Sequence, residues 1–280
     1  MKTFEELALI TPIKKALHEE QYVTPTPIQA QTIPAALSGR DILGSAQTGT
    51  GKTAAFALPI LNRLGKRSKK SMPHFPQVLI LAPTRELAIQ IGDSLETYGR
   101  HLRLRHTLIY GGVNQFRQVR ALKKGVHIVV ATPGRLLDLM EKDVCRLGDV
   151  TFAVVDEADR MADMGFLPDV KRILDQTRSD RQTVLFSATL DGAIDELVTR
   201  YQRNPVVHEL EDEPAGDVTH HFWLSERPGR VALVAEIVDR LGHTVVFCRT
   251  KHGSDRVARQ LGNAGVKAVA IHGNRSQAQR

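Results

Sequence analysis

The segment Ala46–Thr53 constrains the fold of this chain more than any other. It reads Ala-Gln-Thr-Gly-Thr-Gly-Lys-Thr and lies between a short apolar run, Asp41–Ser45, and a run with helical apolar spacing, Thr53–Leu64. The two glycines allow backbone N–H groups to turn toward an anion, and a helix amino terminus adds positive potential at the same place. A strand, a glycine-rich loop and a helix in this order predict a phosphate-binding loop.

The loop favours a nucleoside triphosphate, with Lys52 reaching the β- and γ-phosphates and the Thr53 hydroxyl ligating Mg²⁺. A dinucleotide fingerprint is the alternative, but it requires an acidic residue at the end of the next strand, where this chain has Pro83-Thr84-Arg85. The triphosphate pattern normally opens on glycine and here opens on Ala46, so the loop alone leaves a chance glycine turn open. The predicted phosphate-binding residues are Ala46, Gln47, Thr48, Gly49, Thr50, Gly51, Lys52 and Thr53.

Three carboxylates, Asp156, Glu157 and Asp159, follow the continuous apolar run 151–155. Such a run is typical of a strand buried on both faces, and open α/β sheets bind ligands at the carboxyl ends of their strands. A solvated first turn of a helix is the alternative, because acidic residues stabilise helix amino termini. Beside a phosphate loop, one carboxylate of this group would hold Mg²⁺ and its neighbour would orient and deprotonate a water molecule. We therefore predict Lys52, Asp156 and Glu157 as the catalytic residues.

Short motifs in one order along the chain resemble those of the DEAD-box ATP-dependent RNA helicases. The number of motifs and their shared order argue against coincidence, and Ala46 is also what this family has at that position. The matching segments are Phe4 with Tyr22–Gln29, Ala46–Thr53, Pro83–Leu87, Gly111–Gly112, Thr132–Arg135, Asp156–Asp159 and Ser187–Thr189.

The resemblance implies a role for each segment, with ATP and Mg²⁺ as cofactors and RNA as the partner. Tyr22 would stack on adenine and Gln29 would hydrogen-bond its edge. Asp156 would hold Mg²⁺ with Thr53, largely through water, and Glu157 would act as the general base on the attacking water. Contact with RNA would be mainly through phosphate and sugar. The residues implied to couple hydrolysis to the RNA surface are Asp159, Ser187, Ala188 and Thr189. The residues implied to contact RNA are Pro83, Thr84, Arg85, Gly112, Thr132, Pro133, Gly134, Arg135, Gln277 and Arg280.

Composition limits the class of protein. The 280 residues carry a net charge of +7, which suits a polyanionic partner without identifying one. Two cysteines provide neither a disulfide framework nor a metal-ligand set, which favours a reducing compartment. The amino terminus lacks the apolar core of a signal peptide, and no apolar run is long enough to span a bilayer. We expect a cytoplasmic protein with no membrane partner.

Alternating apolar runs and helical patterns predict an α/β fold, with a parallel sheet covered by helices on both faces. The resemblance implies that this domain is a RecA-like P-loop NTPase domain. Pro133 is placed to open a helix, and Asp191 to cap a helix over Gly192–Arg203. The predicted strands are Ile42–Ser45, Val78–Ala82, Thr107–Tyr110, His127–Ala131, Phe152–Asp156 and Val184–Ser187. Further predicted helices are Glu86–Tyr98, Gln115–Lys124 and Gly134–Glu141.

The expected organisation is a Q-motif region over 1–32, an ATP-binding domain over 33–207, a linker over 208–217 and a partial second α/β domain over 218–280. Charge, proline and glycine without periodicity mark the linker. The strands predicted in the second domain are Val218–Leu224, Thr244–Cys248 and Val266–Ile271, and its helices are Gly229–Leu241 and Ser254–Ala264.

The family's second domain also has arginine-bearing segments that reach the phosphates, and residues 218–280 do not contain them. We therefore expect a fragment of a longer protein. The fragment would bind nucleotide with little RNA-stimulated turnover, and the longer protein would unwind or remodel short RNA duplexes. Two alternatives are a nucleotide- and RNA-binding module without hydrolysis and a DNA translocase with the same P-loop core. The sequence does not identify the RNA or any accessory protein.

Overall fold

The computed structural model describes residues 3–45, 49–67, 70–190, 192–209 and 218–275, apart from the side chain of Arg227. The chain divides into two units, Met1–Pro214 and Ala215–Arg280, which are described separately below.

The first unit alternates strands and helices after a short 3₁₀ turn at Phe4–Glu6. Its strands are β1 (Ile42–Ser45), β2 (Val78–Leu81), β3 (His106–Ile109), β4 (Ile128–Ala131), β5 (Phe152–Val155), β6 (Gln182–Ser187) and β7 (Val206–Glu209). Its helices are α1 (Thr11–Glu19), α2 (Pro27–Leu37), α3 (Lys52–Lys66), α4 (Arg85–Gly99), α5 (Phe116–Lys124), α6 (Pro133–Glu141), α7 (Ala158–Asp163), α8 (Leu167–Asp175) and α9 (Gly192–Tyr201).

The seven strands form one sheet in the order β3-β4-β2-β5-β6-β1-β7, and every pair is parallel. The predicted strands are confirmed to within two residues at their ends. Pro133 opens α6 as predicted, whereas the predicted cap Asp191 lies outside the described residues.

Two apolar cores cover the two faces of the sheet, as predicted. Successive strand residues point to opposite faces, so Val154 packs in the core beneath α1–α4 and Val155 packs in the core beneath α5–α9. Both residues are almost completely buried, which explains why β5 has no polar alternation. Among the described residues, no helix is both long and apolar enough to cross a membrane.

The amino-terminal segment packs on this sheet together with the ATP-binding region. Phe4, Ile13, Leu17 and Ile28 all lie in the core beneath α1–α4. Helix α2 runs through residue 32, where the sequence placed the end of the Q-motif region. The segment is therefore structurally part of the first unit.

The sequence did not predict the edge strand β7. Its residues are alternately half-buried and exposed. The sequence Val-Val-His-Glu also lacks the continuous apolar run of a central strand. It pairs with β1, and the N–H of Val206 donates to the carbonyl of Asp41 at 2.8 Å. His208 and Glu209 are the last two residues of β7 and not the start of a linker.

A buried carboxylate fastens this end of the sheet. Asp41 is 4% exposed, and its two side-chain oxygens accept hydrogen bonds from the N–H groups of Thr183 and Arg203, each at 2.7 Å. These bonds join the starts of β1 and β6 to the segment that leads into β7. A carboxylate that accepts backbone N–H bonds away from solvent contributes more than a neutral hydrogen bond of the same length.

The second unit contains a 3₁₀ turn at Arg227–Gly229 and two helices, α10 (Arg230–Leu241) and α11 (Lys251–Asn263). Both helices confirm predictions. The predicted strands at Val218–Leu224, Thr244–Cys248 and Val266–Ile271 are wrong for the described residues, which are irregular there. Apolar, β-favouring residues form a strand only when a neighbouring strand supplies hydrogen bonds and cover. Phe222 and Phe247 are each 94% exposed, so neither condition is met.

We predict that Asp41→Ala lowers the free energy of unfolding by about 2 kcal/mol, because the buried N–H of Thr183 and the partly buried N–H of Arg203 lose their charged acceptor. Urea unfolding followed by tyrosine fluorescence measures this, since all four tyrosines lie in the first unit. Asp93→Ala is the matched control, because Asp93 is exposed on α4 and its loss should change stability by less than about 0.5 kcal/mol. Equal stability of the two variants would contradict the role given to Asp41.

Candidate functional site

The sheet order sorts the predicted site residues into two groups along one edge. All seven strands are parallel, so their carboxyl ends lie together along one edge of the sheet, which runs across the strands from β3 to β7. Neighbouring strands β5, β6 and β1 lead into Asp156, Ala188 and the glycine loop. The other neighbours, β2, β4 and β3, lead into the segments that begin at Pro83, Thr132 and Gly111. We call these the β5–β6–β1 half and the β2–β4–β3 half of the edge.

In the β5–β6–β1 half, the glycine loop takes a conformation that requires glycine. Gly49 and Gly51 have φ values of +92° and +90°, in the left-handed region that L-residues with a Cβ rarely adopt. Gly51 is the residue before α3, so Lys52 and Thr53 form the first turn of that helix. Ala46, Gln47 and Thr48 lie outside the described residues.

The amino terminus of α2 holds this loop through two side chains. Thr26 donates its hydroxyl proton to the carbonyl of Thr50 at 2.8 Å, and Gln29 Nε2 donates to the carbonyl of Gly51 at 3.0 Å. Gln29 Oε1 accepts the N–H of Thr26 at 2.9 Å. The pattern Thr26-x-x-Gln29 is the sequence signature of a helix capping box, so this local contact was readable from the sequence. Its extension to the glycine loop was not.

The two predicted adenine-binding residues, Gln29 and Tyr22, differ in their surroundings. Gln29 is 3% exposed, and an amide has two N–H donors and two acceptor lone pairs, so each of its bonded atoms retains capacity for one more hydrogen bond. Tyr22 is 41% exposed. Its ring meets those of Phe4 and Tyr98 at nearly perpendicular angles, with centroids 6.2 and 5.8 Å away.

Asp156 and Glu157 follow β5 directly and are both buried. Asp156 is 2% exposed, and one of its carboxylate oxygens accepts the N–H of Glu157 at 3.1 Å. Burial raises the pKa of Asp156 to about 6, although the charge of Lys52 opposes the rise. The carboxylate is thus close enough to Lys52 to be influenced by its charge, but it lies in a site that disfavours its own charge.

Glu157 has an uncommon backbone conformation and a charged partner. Its φ of +53° places a non-glycine residue in the left-handed region at the start of α7, which is uncommon and concentrates at functional sites. Its Oε2 lies 3.2 Å from a guanidinium nitrogen of Arg160. The spacing of three residues on a helix is the sequence signal that would have indicated this pair.

The predicted coupling residues connect the ends of β5 and β6. The N–H of Asp159 donates to the hydroxyl oxygen of Ser187 at 3.2 Å, and Ser187 is fully buried at the end of β6. Ala188 and Thr189, which follow, are exposed. The acidic segment is therefore hydrogen-bonded directly to the last residue of β6.

The β2–β4–β3 half collects the predicted RNA-contacting residues of the first unit. The Arg85 guanidinium lies against Gly112, and a Cβ on Gly112 would be 2.4 Å from a guanidinium nitrogen of Arg85. The backbone of Gly112 has a φ of +75°. Arg135 donates to the carbonyl of Val113 at 3.4 Å. Pro83, Thr84, Thr132, Pro133 and Gly134 lie at the starts of α4 and α6, and Gln277 and Arg280 lie outside the described residues.

The residues predicted to hold Mg²⁺ suit that ion without enclosing it. Thr53 in the first turn of α3 and the Asp156 carboxylate offer the hard oxygen donors that Mg²⁺ prefers. Within the described residues there is no group of three or more His, Cys, Asp or Glu side chains that could hold a metal.

Comparison with known proteins decides the family. The sequence model of the DEAD/DEAH box helicases matches residues 26–197. The chain belongs to this family. It is 40% identical to DEAD-box ATP-dependent RNA helicase 30 of Arabidopsis thaliana and to DEAD-box ATP-dependent RNA helicase CshA of Bacillus cereus, with all of the chain aligned to 48% and 53% of their lengths. The chain thus spans about half the length of the curated relatives that it matches.

A solved structure supports the same assignment. The crystal structure of a DEAD box protein from the hyperthermophile Methanococcus jannaschii is 34% identical and superposes with a TM-score of 0.71 over all of this chain and 75% of that one. The fold of this DEAD/DEAH box helicase chain is therefore the RecA-like α/β fold that the motifs implied.

The raised pKa of Asp156 gives a prediction for stability. A carboxyl whose pKa is higher in the folded state destabilises the fold once it ionises, so the cost is absent below about pH 3 and complete well above pH 6. Two pKa units correspond to about 3 kcal/mol. We expect Asp156→Asn to be more stable than the parent chain by about 2 to 3 kcal/mol at pH 8, and equally stable at pH 3.

Urea unfolding in EDTA across this pH range, followed by tyrosine fluorescence, measures the difference. The comparison is between two chains at each pH, so the titration of groups that do not interact with Asp156 cancels. An asparagine variant that is no more stable than the parent at pH 8 would contradict the buried, charge-disfavouring site.

Proposed function

We propose that the protein is an ATP-dependent RNA helicase that binds ATP and Mg²⁺ in the β5–β6–β1 half of the sheet edge and RNA in the β2–β4–β3 half. The observation that carries the proposal is the sheet order, in which the glycine loop follows β1, Asp156 and Glu157 follow β5, and only β6 lies between these two strands. The names of the relatives, which are called ATP-dependent RNA helicases, support the substrate classes.

For the nucleotide, we propose that Tyr22 stacks on adenine and that Gln29 uses its remaining donor and acceptor on the edge of the base. The exposed fraction of Tyr22 and the anchoring of Gln29 to the loop carbonyl of Gly51 support this arrangement. Lys52 and the N–H groups of residues 46–53 bind the phosphates at the amino terminus of α3. Bound Mg²⁺, held by Thr53 and Asp156, would neutralise charge on the β- and γ-phosphates.

For hydrolysis, we propose that Glu157 orients a water molecule and accepts its proton. Glu157 comes two residues after the end of β5, directly after Asp156. Its side chain is buried, and burial favours directed hydrogen bonds over exchange with bulk water. The ion pair with Arg160 fixes the position of the Glu157 side chain through one of its oxygens. The bond between Asp159 and Ser187 then carries the state of this site to Ala188 and Thr189.

For RNA, we propose backbone binding by the residues in the β2–β4–β3 half. Arg85 and Arg135 supply charge, and the N–H groups at the starts of α4 and α6 supply donors for phosphate. Gln277 and Arg280 complete the proposed set from the second unit.

We predict that Lys52→Ala and Glu157→Gln separate binding from chemistry. Loss of the lysine should weaken ATP binding by about tenfold or more, because the phosphates lose a cation. Glu157→Gln keeps the size of the side chain but cannot accept a proton. It should bind ATP within about twofold of the parent and hydrolyse it about 10²-fold or more slowly.

Titration calorimetry gives the affinities, and single-turnover hydrolysis with excess protein detects slow chemistry. Glu141→Gln is the matched control, because Glu141 is exposed on α6 and pairs with Arg172. Hydrolysis by Glu157→Gln at the parent rate would remove Glu157 as the base. Tight ATP binding without hydrolysis by the parent chain would favour the binding-module alternative.

We predict that Arg85→Ala weakens binding of single-stranded RNA to a similar extent for every sequence, because the contact is to phosphate. The slope of log affinity against log salt should fall by about 0.7, the value for one phosphate contact on a single strand. Fluorescence anisotropy of labelled RNAs at several salt concentrations measures both quantities.

Arg103→Ala is the control, because Arg103 is exposed in the loop between α4 and β3, at the opposite end of α4 from Arg85. It removes the same charge and should leave the slope unchanged. Equal effects of the two substitutions would contradict the placement of RNA in the β2–β4–β3 half. DNA of the same sequence that binds and stimulates hydrolysis as well as RNA would favour the DNA translocase.

A further inference from the structure

We propose that Tyr98 is a positioning residue for base binding, which holds the ring of Tyr22 in the plane that stacks on adenine. Tyr98 lies outside every segment that carries the family resemblance. The inference rests on the proposed function, since it concerns how the same nucleotide site recognises its base.

The contact between the two tyrosines joins distant parts of the chain. Tyr98 is in the last turn of α4 and is 6% exposed, whereas Tyr22 lies between α1 and α2. The ring centroids are 5.8 Å apart and the planes cross at 89°. The hydroxyl of Tyr98 also donates a long hydrogen bond, 3.5 Å, to the hydroxyl of Tyr22.

A second ring completes the support of Tyr22. Phe4, which is 3% exposed, meets it with planes at 77°. The N–H of Tyr22 donates to the carbonyl of Leu17 at 2.9 Å, and the N–H of Phe4 donates to the carbonyl of Val23 at 3.0 Å. The backbone on both sides of Tyr22 is therefore held, and two buried rings restrict the rotation of a side chain that is itself 41% exposed.

An exposed tyrosine that must stack on a base loses rotational freedom on binding, and this loss weakens affinity. Rings that already hold it in one orientation remove that loss from the binding step. A perpendicular aromatic pair contributes an amount that corresponds to about a 2- to 12-fold change in an equilibrium constant. Burial raises the pKa of Tyr98, so its hydroxyl stays protonated and remains a donor to Tyr22.

The test compares ATP with inorganic tripolyphosphate, which has the phosphates but no base. Tyr98→Met removes the ring and keeps most of the buried volume. We expect this variant to bind MgATP about 3- to 10-fold more weakly and Mg-tripolyphosphate within about 1.5-fold of the parent, by titration calorimetry. Tyr98→Phe, which restores the ring, should recover most of the ATP affinity. Tyr201→Met is the matched control on the opposite face of the sheet and should change neither affinity.

A double substitution distinguishes action through Tyr22 from general loosening of the fold. If Tyr98 acts through Tyr22, Tyr22→Leu combined with Tyr98→Met should bind ATP no more weakly than Tyr22→Leu alone. Additive losses, equal losses for ATP and tripolyphosphate, or unchanged ATP affinity in Tyr98→Met would each overturn the inference. Failure of the parent chain to bind either ligand would instead overturn the proposed function.

The parent chain offers an independent measurement that does not depend on the folding of a variant. It has four tyrosines, so 3-fluorotyrosine labelling gives four fluorine resonances. We expect ATP to shift the signals of Tyr22 and Tyr98 together, and tripolyphosphate to shift neither. A Tyr98 signal that is unmoved by ATP while that of Tyr22 moves would overturn the inference.

Discussion

The parallel pairing of β6 with both β1 and β5 is the constraint on which the site depends. Ser45 at the end of β1 lies opposite Ser187 at the end of β6, and Val155 at the end of β5 lies opposite Leu185. The loop after β1 and the acids after β5 therefore emerge on the two sides of Ser187. The pairing also needs Gly44, because a Cβ there would be 2.4 Å from the Phe186 ring that lies opposite it. A shift of this register by one residue would turn each strand's apolar residues to the wrong face.

The same pairing sets the electrostatics of the site. Asp156 is placed where the two cores have excluded water, so burial disfavours its charge and Lys52 offsets only part of that cost. This is the usual relation between a fold and a binding site: a group that costs stability in the free protein is stabilised when its ligand arrives. The left-handed backbone of Glu157 is a second local cost in the same segment.

Helix α4 connects residues proposed for RNA binding with residues proposed for base binding. Its first residue, Arg85, lies against Gly112, and Tyr98 near its end lies against Tyr22. A rigid helix of 15 residues thus contacts both the proposed RNA-binding residues and the proposed base-binding residues. The second unit is different, since its apolar segments around Phe222 and Phe247 are exposed and do not form the sheet that their composition favours.

The sequence by itself determined the family and most elements of the first unit, because the glycines at 49 and 51, Lys52 and the acids after 155 are local patterns that can be read without the fold. Local patterns could not reveal β7, which has no apolar run, or the buried hydrogen bonds of Asp41, whose partners are more than 140 residues away. They also predicted strands in the second unit, because a strand requires a neighbour that periodicity does not report. Only the tertiary structure decided the strand order, and with it which motifs adjoin, which loop Gln29 anchors and which rings hold Tyr22. Each of these depends on contacts between residues far apart in sequence, where packing and hydrogen bonding, and not propensity, select the arrangement.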